Sequence, residues 1–300
     1  MEHHLAFAVD VNYSKVLAAA LVSVRENGVF DAPLKIHILY TQLNNDILQR
    51  YIDIFKDVSY VEVNPIELSL DDFKEYTVNF YFTLAVYFRI KLPDLIPDAE
   101  RIVYLDCDII VRKSLKPLFE IDLQGNAIAA VENPFFTRHK ELQMPKGVAY
   151  LNSGVLIFNA KKFRENGIIS RIFEFAKVHK DNLMYVDQDA INGTLYNSWL
   201  ELPVTWNFQT IFYIKNNEGE PIKELATQQY LKDPAIVHFT TKSKPWHFMN
   251  DHPFKKEFIR YYKKAGLKLK NEDFSGRNAL KKFYNKQIKR KNYIDYTYYF

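Results

Sequence analysis

Short apolar runs alternate with amphipathic stretches through the first half of the chain. Residues 5–9 (LAFAV) are apolar throughout and have strand length. Ser14 then stands where a helix cap belongs, before Val16, Leu17, Ala20, Leu21 and Val24, which share one helical face. A second strand is predicted over 34–40. Asn44 or Asn45 opens a helix that turns Ile47, Leu48, Tyr51, Ile52 and Phe55 inward. A short strand over 60–63 is followed by polar chain to about Asn79, and a helix over 83–92 is stopped by Pro93. The run Arg101-Ile102-Val103-Tyr104-Leu105 is a strand that enters Asp106-Cys107-Asp108 directly, and Ile109–Val111 resumes the extended pattern.

The second half is less regular. Buried strands are expected over 127–131 and 155–158, and a long helix over 161–180 with Phe163, Ile168, Ile172, Phe173 and Phe175 in the core. A further helix is expected over 187–196, and a last strand over 235–239 that ends around His238. Helices over 254–265 and 275–292 are rich in lysine and tyrosine. Strands alternating with helices imply an α/β protein with a mixed, mostly parallel sheet covered on both faces. The compact body is expected over residues 1–250, with a basic, aromatic, helical tail over 251–300.

Composition narrows the picture. Three hundred residues with 48% hydrophobic and 25% charged positions are enough for one sizeable core, and they exclude collagen-like and disordered classes. A single cysteine, Cys107, excludes an intrachain disulfide and a cysteine-based zinc site, which suits a reducing compartment. No apolar stretch reaches membrane-spanning length, and the start is too short and too lightly charged for a signal peptide. The expectation is a cytoplasmic protein, at most bound to the inner face of a membrane. Charge is uneven: residues 255–300 carry 14 Lys and Arg against 4 Asp and Glu, so the rest of the chain is mildly acidic.

Asp106 and Asp108 are the most informative pair. In extended chain, residues i and i+2 point to one side, so two carboxylates placed where a buried strand leaves the sheet can converge on a divalent cation. The bland alternative is two solvated aspartates in a turn. His238 can complete such a site, and Lys244, in Lys244-Pro245-Trp246, can neutralise phosphate as a point charge; read singly, a lone histidine and a turn are equally ordinary. Asp10, Asn12 and Tyr13 follow the first strand and can bind a base or ribose, or can be a plain strand-to-helix turn. Asn152-Ser153-Gly154 and Asp187-Gln188-Asp189 lie at predicted element ends, where polar groups can meet a polyhydroxylated ligand or simply finish the element. Neither a Gly-x-Gly-x-x-Gly nor a P-loop signature occurs.

Taken in order, Tyr104-Leu105-Asp106-Cys107-Asp108, Leu151-Asn152-Ser153-Gly154-Val155, Asp187-Gln188-Asp189 with Asn192-Gly193, and His238 through Lys244-Pro245-Trp246 resemble glycosyltransferase family 8. That family includes bacterial lipopolysaccharide galactosyl- and glucosyltransferases and the self-glucosylating glycogenins. The resemblance runs from Leu5 to about Trp246. It implies a single Rossmann-like nucleotide-sugar-binding domain of the GT-A type and transfer of a hexose, galactose or glucose, from a UDP-sugar to a glycan acceptor with retained configuration. It also implies Mn²⁺ (or Mg²⁺) on Asp106, Asp108 and His238, and a uridine pocket from Ala8, Asp10, Asn12 and Tyr13. Arg89 and Lys244 are implied as donor-binding residues, and Asn152, Asp187 and Gln188 as the sugar pocket, with Gln188 near the anomeric carbon.

Three positions depart from the family pattern. Val11 stands where the family's galactosyltransferases often have a second aspartate, Thr241 where a glycine is usual, and Glu132-Asn133-Pro134 where some relatives place a sugar-contacting aspartate. The rival readings are a glycogenin-like self-glucosylating protein and a non-catalytic sugar- or membrane-binding module. In the tail, Leu280, Phe283, Tyr284 and Ile288 form an apolar stripe among Lys281, Lys282, Lys286, Lys289, Arg290 and Lys291. Such a helix suits an anionic membrane surface, or docks on the body with its charges in water. No nucleic-acid recognition module is seen.

Overall fold

The structure is a computed structural model and describes residues 2–28, 30–74, 76, 84–134, 136–213, 229–270 and 273–287. Its main sheet has seven strands in the order β3-β2-β1-β4-β7-β6-β8. These are β1 (His3–Val9), β2 (Leu34–Tyr40), β3 (Val61–Glu67), β4 (Arg101–Leu105), β6 (Ile128–Glu132), β7 (Leu151–Asn159) and β8 (Trp199–Glu201). β1, β2, β3 and β4 run parallel, β7 is antiparallel to β4 and β6, and β8 is parallel to β6. A small sheet in the order β5-β10-β9 joins Ile109–Val111, Ile236–His238 and Phe208–Gln209.

The two faces of the large sheet bury separate apolar layers because successive side chains alternate. Leu5, Phe7 and Val9 of β1, with Val103 and Leu105 of β4, pack under α1 (Ser14–Asn27) and α2 (Asn45–Phe55). Ala6, Ile102 and Tyr104 face the other way, toward α5 (Ala160–Glu165), α6 (Ile168–Val178) and α7 (Val186–Leu195). The first layer continues into the helix Lys255–Lys264, whose Phe258, Tyr261 and Tyr262 are buried with α1.

Several local expectations are corrected. Ser14 is not the cap of α1. It is the first helical residue, its hydroxyl donates to the Val11 carbonyl, and the Asp10 carboxylate takes the free N–H groups of Asn12 and Tyr13. Asn44 does cap α2, accepting from Ile47 N, but Ile52 is exposed. The segment Leu84–Lys91 is a 3-10 helix, and Pro93 begins the short α3 (Leu92–Leu95) rather than ending a helix; Thr83 lies outside the described residues. The expected helix over 161–180 is two, because Gly167 adopts φ +58° between α5 and α6. Of the tail, the helix Gly276–Gln287 is described, while Ile288, Lys289, Arg290 and Lys291 lie outside the described residues.

Candidate active site

The chain lays β1, β2 and β3 to one side and then returns to place β4 against the other edge of β1. At this switch in direction the carboxyl ends of β1 and β4 leave a crevice, the usual ligand position in open α/β sheets. Asp10 follows β1 and Asp106 follows β4, so the two acidic motifs open into one place. Tyr13 is set edge-on to Trp246, with ring centroids 6.0 Å apart.

Asp106-Cys107-Asp108 is a bend between the two sheets rather than extended chain. Its carboxylates still converge, for a different reason from the one the spacing suggests. Asp106 N donates to the Gly154 carbonyl of β7, and β5 then pairs antiparallel with β10, with Ile109 opposite His238. This register seats the His238 imidazole beside both aspartates, its Nε2 3.6 Å from Asp106 Oδ2 and 3.3 Å from Asp108 Oδ1. One ligand atom from each residue lies within 4.8 Å of the others. Carboxylate oxygens with an imidazole nitrogen suit Mn²⁺ or Mg²⁺, so this donor set fits the implied cation. Lys244 Nζ lies 2.6 Å from Asp108 Oδ2 and also donates to the Phe239 carbonyl. Burial works against the Asp108 anion, but Lys244 and His238 outweigh it and hold the carboxyl below the usual carboxylate range.

Arg89 ties this group to the next. It is buried on the 3-10 helix, with its guanidinium over the Tyr104 ring. Its nitrogens reach Asp106 Oδ1 at 3.0 Å, Asp187 Oδ2 at 3.2 Å and the Ser153 carbonyl at 2.8 Å. Burial pushes the Asp187 carboxyl up to about 6, with Arg89 opposing the rise and Asp106 adding to it. Gln188 is engaged at both ends, accepting from Ser153 N at 2.9 Å and donating to the Tyr150 hydroxyl at 3.2 Å. Asp189 belongs to the scaffold: its buried carboxylate accepts from Tyr150 Oη, Met184 N and Tyr185 N.

Asn152, Ser153 and Gly154 lie inside β7 rather than before it, and a bulge between Ala130 and Val131 accompanies their pairing with β6. A cavity of about 290 Å³ gathers the expected residues: Ala8, Asp10, Asn12, Tyr13, Arg89, Asp106, Asp108, Asn152, Asp187, Gln188, His238 and Lys244 all line it. Ala85, Val86, Tyr185 and Thr240 also line it without having been singled out in the sequence, as do Ser153, from the Asn152-Ser153-Gly154 motif, and Asn133, from the Glu132-Asn133-Pro134 departure. The buried Asn133 Oδ1 has no hydrogen-bond partner among the described residues. Asn133 directly follows β6, at the departure from the family pattern noted in the sequence. Thr241 is buried, and its hydroxyl donates to the Ser243 carbonyl within the loop leading to Lys244.

Gly154 is required for steric reasons. A Cβ there would lie 2.1 Å from His238 Cε1 and 2.9 Å from Asp106 Oδ2. Gly154→Ala is therefore expected to displace the imidazole and weaken Mn²⁺ binding by at least about tenfold, while circular dichroism stays native-like. Unchanged Mn²⁺ titration in a folded variant would contradict this.

A Rossmann-like sheet whose switch point gathers two carboxylates, an imidazole and a lysine is the GT-A architecture of glycosyltransferases. The chain belongs to glycosyl transferase family 8, whose model matches residues 4–250. It is 31% identical over 266 residues to General stress protein A of Bacillus subtilis, a match covering 86% of this chain and 92% of that protein. It is 26% identical to the lipopolysaccharide 1,2-glucosyltransferase of Escherichia coli K12, covering 97% of this chain and 87% of the relative. It spans about half of the longer glycosyltransferase GlyF of Streptococcus pneumoniae (49%, at 28% identity). Among solved structures, the galactosyltransferase LgtC in complex with donor and acceptor sugar analogs superposes with a TM-score of 0.74 at 24% identity, over 88% of this chain and 96% of LgtC, and shares the fold.

Proposed function

We propose that the protein is a metal-dependent, retaining glycosyltransferase that moves a hexose, galactose or glucose, from a UDP-sugar to a glycan acceptor during synthesis of a surface glycan. The convergence of Asp106, Asp108 and His238 beside Lys244 at the sheet's switch point carries this reading. The lipopolysaccharide glucosyltransferase among its relatives and the donor- and acceptor-bound galactosyltransferase with the same fold point the same way.

A divalent cation held by Asp106, Asp108 and His238 would neutralise the diphosphate of the departing UDP. Lys244 adds a second positive charge at the same edge of the cavity, so the leaving group needs no general acid. Asp10, Asn12 and Tyr13, with Ala8, offer the polar and aromatic surface for uridine. Asn152, Asp187 and Gln188 face the sugar. Retention calls either for a protein nucleophile or for attack from the face the leaving group vacates. Asp187 is held by Arg89 and the Gln188 amide is engaged at both ends, so neither is poised to attack carbon. The reading favoured is front-face attack, with the acceptor hydroxyl passing its proton to a diphosphate oxygen as the glycosidic bond to UDP breaks.

Incubation with UDP-glucose and UDP-galactose should give donor hydrolysis that EDTA stops and Mn²⁺ restores, and, once a glycan acceptor is added, an α-linked product by NMR. Hydrolysis undiminished by chelation would overturn the metal assignment, and a β-linked product the retaining mechanism. Absence of turnover with every UDP-hexose would favour the non-catalytic binding module. A mass increment on the protein itself would favour the self-glucosylating reading.

No helix among the described residues is long and apolar enough to cross a membrane. We extend the proposal to the tail as a contact for an anionic membrane surface. On the helix Gly276–Gln287, Leu280, Phe283 and Tyr284 are exposed, while Lys282 reaches back to Asp251 at 3.1 Å. Deleting residues 266–300 removes nine basic residues, each worth about 1 kcal/mol near an anionic leaflet. The truncated protein should lose cosedimentation with phosphatidylserine vesicles and keep its donor hydrolysis. Equal sedimentation of both forms, or of neither, would exclude the membrane role.

A further inference from the structure

The hydrogen bonds behind the His238 imidazole can be read outward from one donor whose identity is not open to choice, the backbone N–H of Gly154. It donates to Asn152 Oδ1 at 3.0 Å, so that atom is the carboxamide oxygen. The Asn207 side chain meets the same oxygen at 2.8 Å and must present its Nδ2 there. The other end of that carboxamide is then Oδ1, and it lies 2.9 Å from His238 Nδ1. An amide oxygen only accepts, so Nδ1 carries the ring proton. Whenever the ring is neutral, Nε2 is then the nitrogen with the lone pair, and Nε2 is the atom that faces Asp106 and Asp108. Asn207 itself is fully buried at the end of the 3-10 helix Val204–Asn207, directly before β9.

We propose that Asn207 is a positioning residue with two arms. Its Oδ1 fixes the tautomer and the plane of the His238 ring, so that a lone pair is offered to a divalent cation. Its Nδ2 fixes the Asn152 carboxamide; with Oδ1 of Asn152 taken twice, its Nδ2 is left for a ligand in the cavity that Asn152 lines. One buried side chain thus couples the cation end of the cavity to the sugar end. The inference rests on the donor-site reading given above. Histidine ligands commonly owe their orientation to such an acceptor, whose loss costs about 10- to 100-fold in metal affinity.

The two arms can be separated by substitution in the full-length protein. Asn207→Leu removes both. Asn207→Asp keeps an acceptor for Nδ1–H but turns a second oxygen toward Asn152 Oδ1. Long-range ¹H–¹⁵N spectra of the metal-free protein report the tautomer of His238, identified by its disappearance in His238→Gln. The expected result is Nδ1–H in the wild type and in Asn207→Asp, and loss of that preference in Asn207→Leu. Mn²⁺ binding followed by electron paramagnetic resonance should weaken about 10- to 100-fold in Asn207→Leu and stay within about threefold of wild type in Asn207→Asp. Asn207→Asp should nonetheless raise KM for the UDP-sugar by about tenfold, because the Asn152 arm is broken. A merely structural asparagine would lower the melting temperature in both variants without dividing metal affinity from KM. A wild-type His238 whose Nδ1 carries no proton, or a folded Asn207→Leu that binds Mn²⁺ like wild type, overturns the inference. A wild type that binds no Mn²⁺ but carries Nδ1–H overturns the donor-site reading, and the cation role of Asn207 with it.

Discussion

Asp108→Ala should reduce donor turnover by about three orders of magnitude while leaving a folded protein. Asp108 is the carboxylate on which the site's charges meet: Lys244 lies 2.6 Å away and His238 Nε2 3.3 Å away. On the proposed reading its loss would leave one carboxylate and an imidazole to hold a dication, and would release Lys244 from the position proposed to bring it to the diphosphate. The fold should survive because Lys244 keeps the Phe239 carbonyl as a partner, and β5 pairs with β10 through backbone groups that the substitution does not touch. Hydrolysis of UDP-hexose with Mn²⁺, read beside a melting curve, checks both halves. Near-wild-type turnover would sink the assignment of this residue.

The largest loss of stability is expected from Arg89→Met. The guanidinium is buried and stands between Asp106 and Asp187 while it also holds Ser153. Burial opposes its charge, but the two carboxylates outweigh burial and keep it protonated. Removing one partner of a buried ion pair costs about 3–5 kcal/mol, since the remaining charge is left without compensation. For a domain of this size that is a fall of roughly 10 °C in melting temperature. The Asp187 carboxyl, already raised, would rise further and take up a proton. Arg89→Met combined with Asp187→Asn should therefore recover part of the stability and none of the activity. A single variant that melts with the wild type would show that Arg89 does not neutralise this pair. Lysine is not expected to substitute, because no ammonium can reach three partners in the planar arrangement of the guanidinium.

Much of this site was legible in the sequence because its residues sit at the ends of strands with strong apolar patterns. The run Ile102-Val103-Tyr104-Leu105 announces β4, so Asp106 and Asp108 are placed by the sheet itself. The same holds for Asp10 after β1 and His238 at the end of β10. The order of motifs then supplied what local pattern left open. Elements without such patterns were misread. The 161–180 segment has helical periodicity throughout, and only the left-handed backbone of Gly167 divides it. Arg89 reads locally as one charge on an amphipathic stretch and is singled out only through the family resemblance, because its surroundings come from β4, β7 and α7. Asn207 has no local signature at all: its importance lies in Asn152 and His238, both distant along the chain.

The pairing of β5 with β10 also has a consequence in time. Lys244 lies 136 residues beyond Asp108, and His238 reaches the aspartates only after β10 has found β5. Closing so long a loop is slow compared with forming the local β1-α1-β2 units. During vectorial synthesis the parallel half of the sheet can assemble while the acidic bend still lacks its imidazole. A growing chain therefore presents no finished cluster of Asp106, Asp108 and His238, and on the metal-dependent reading proposed above a cation would not template its early folding. On that reading the cation binds late, to a nearly complete body, so metal depletion should impair the finished protein's activity far more than its yield.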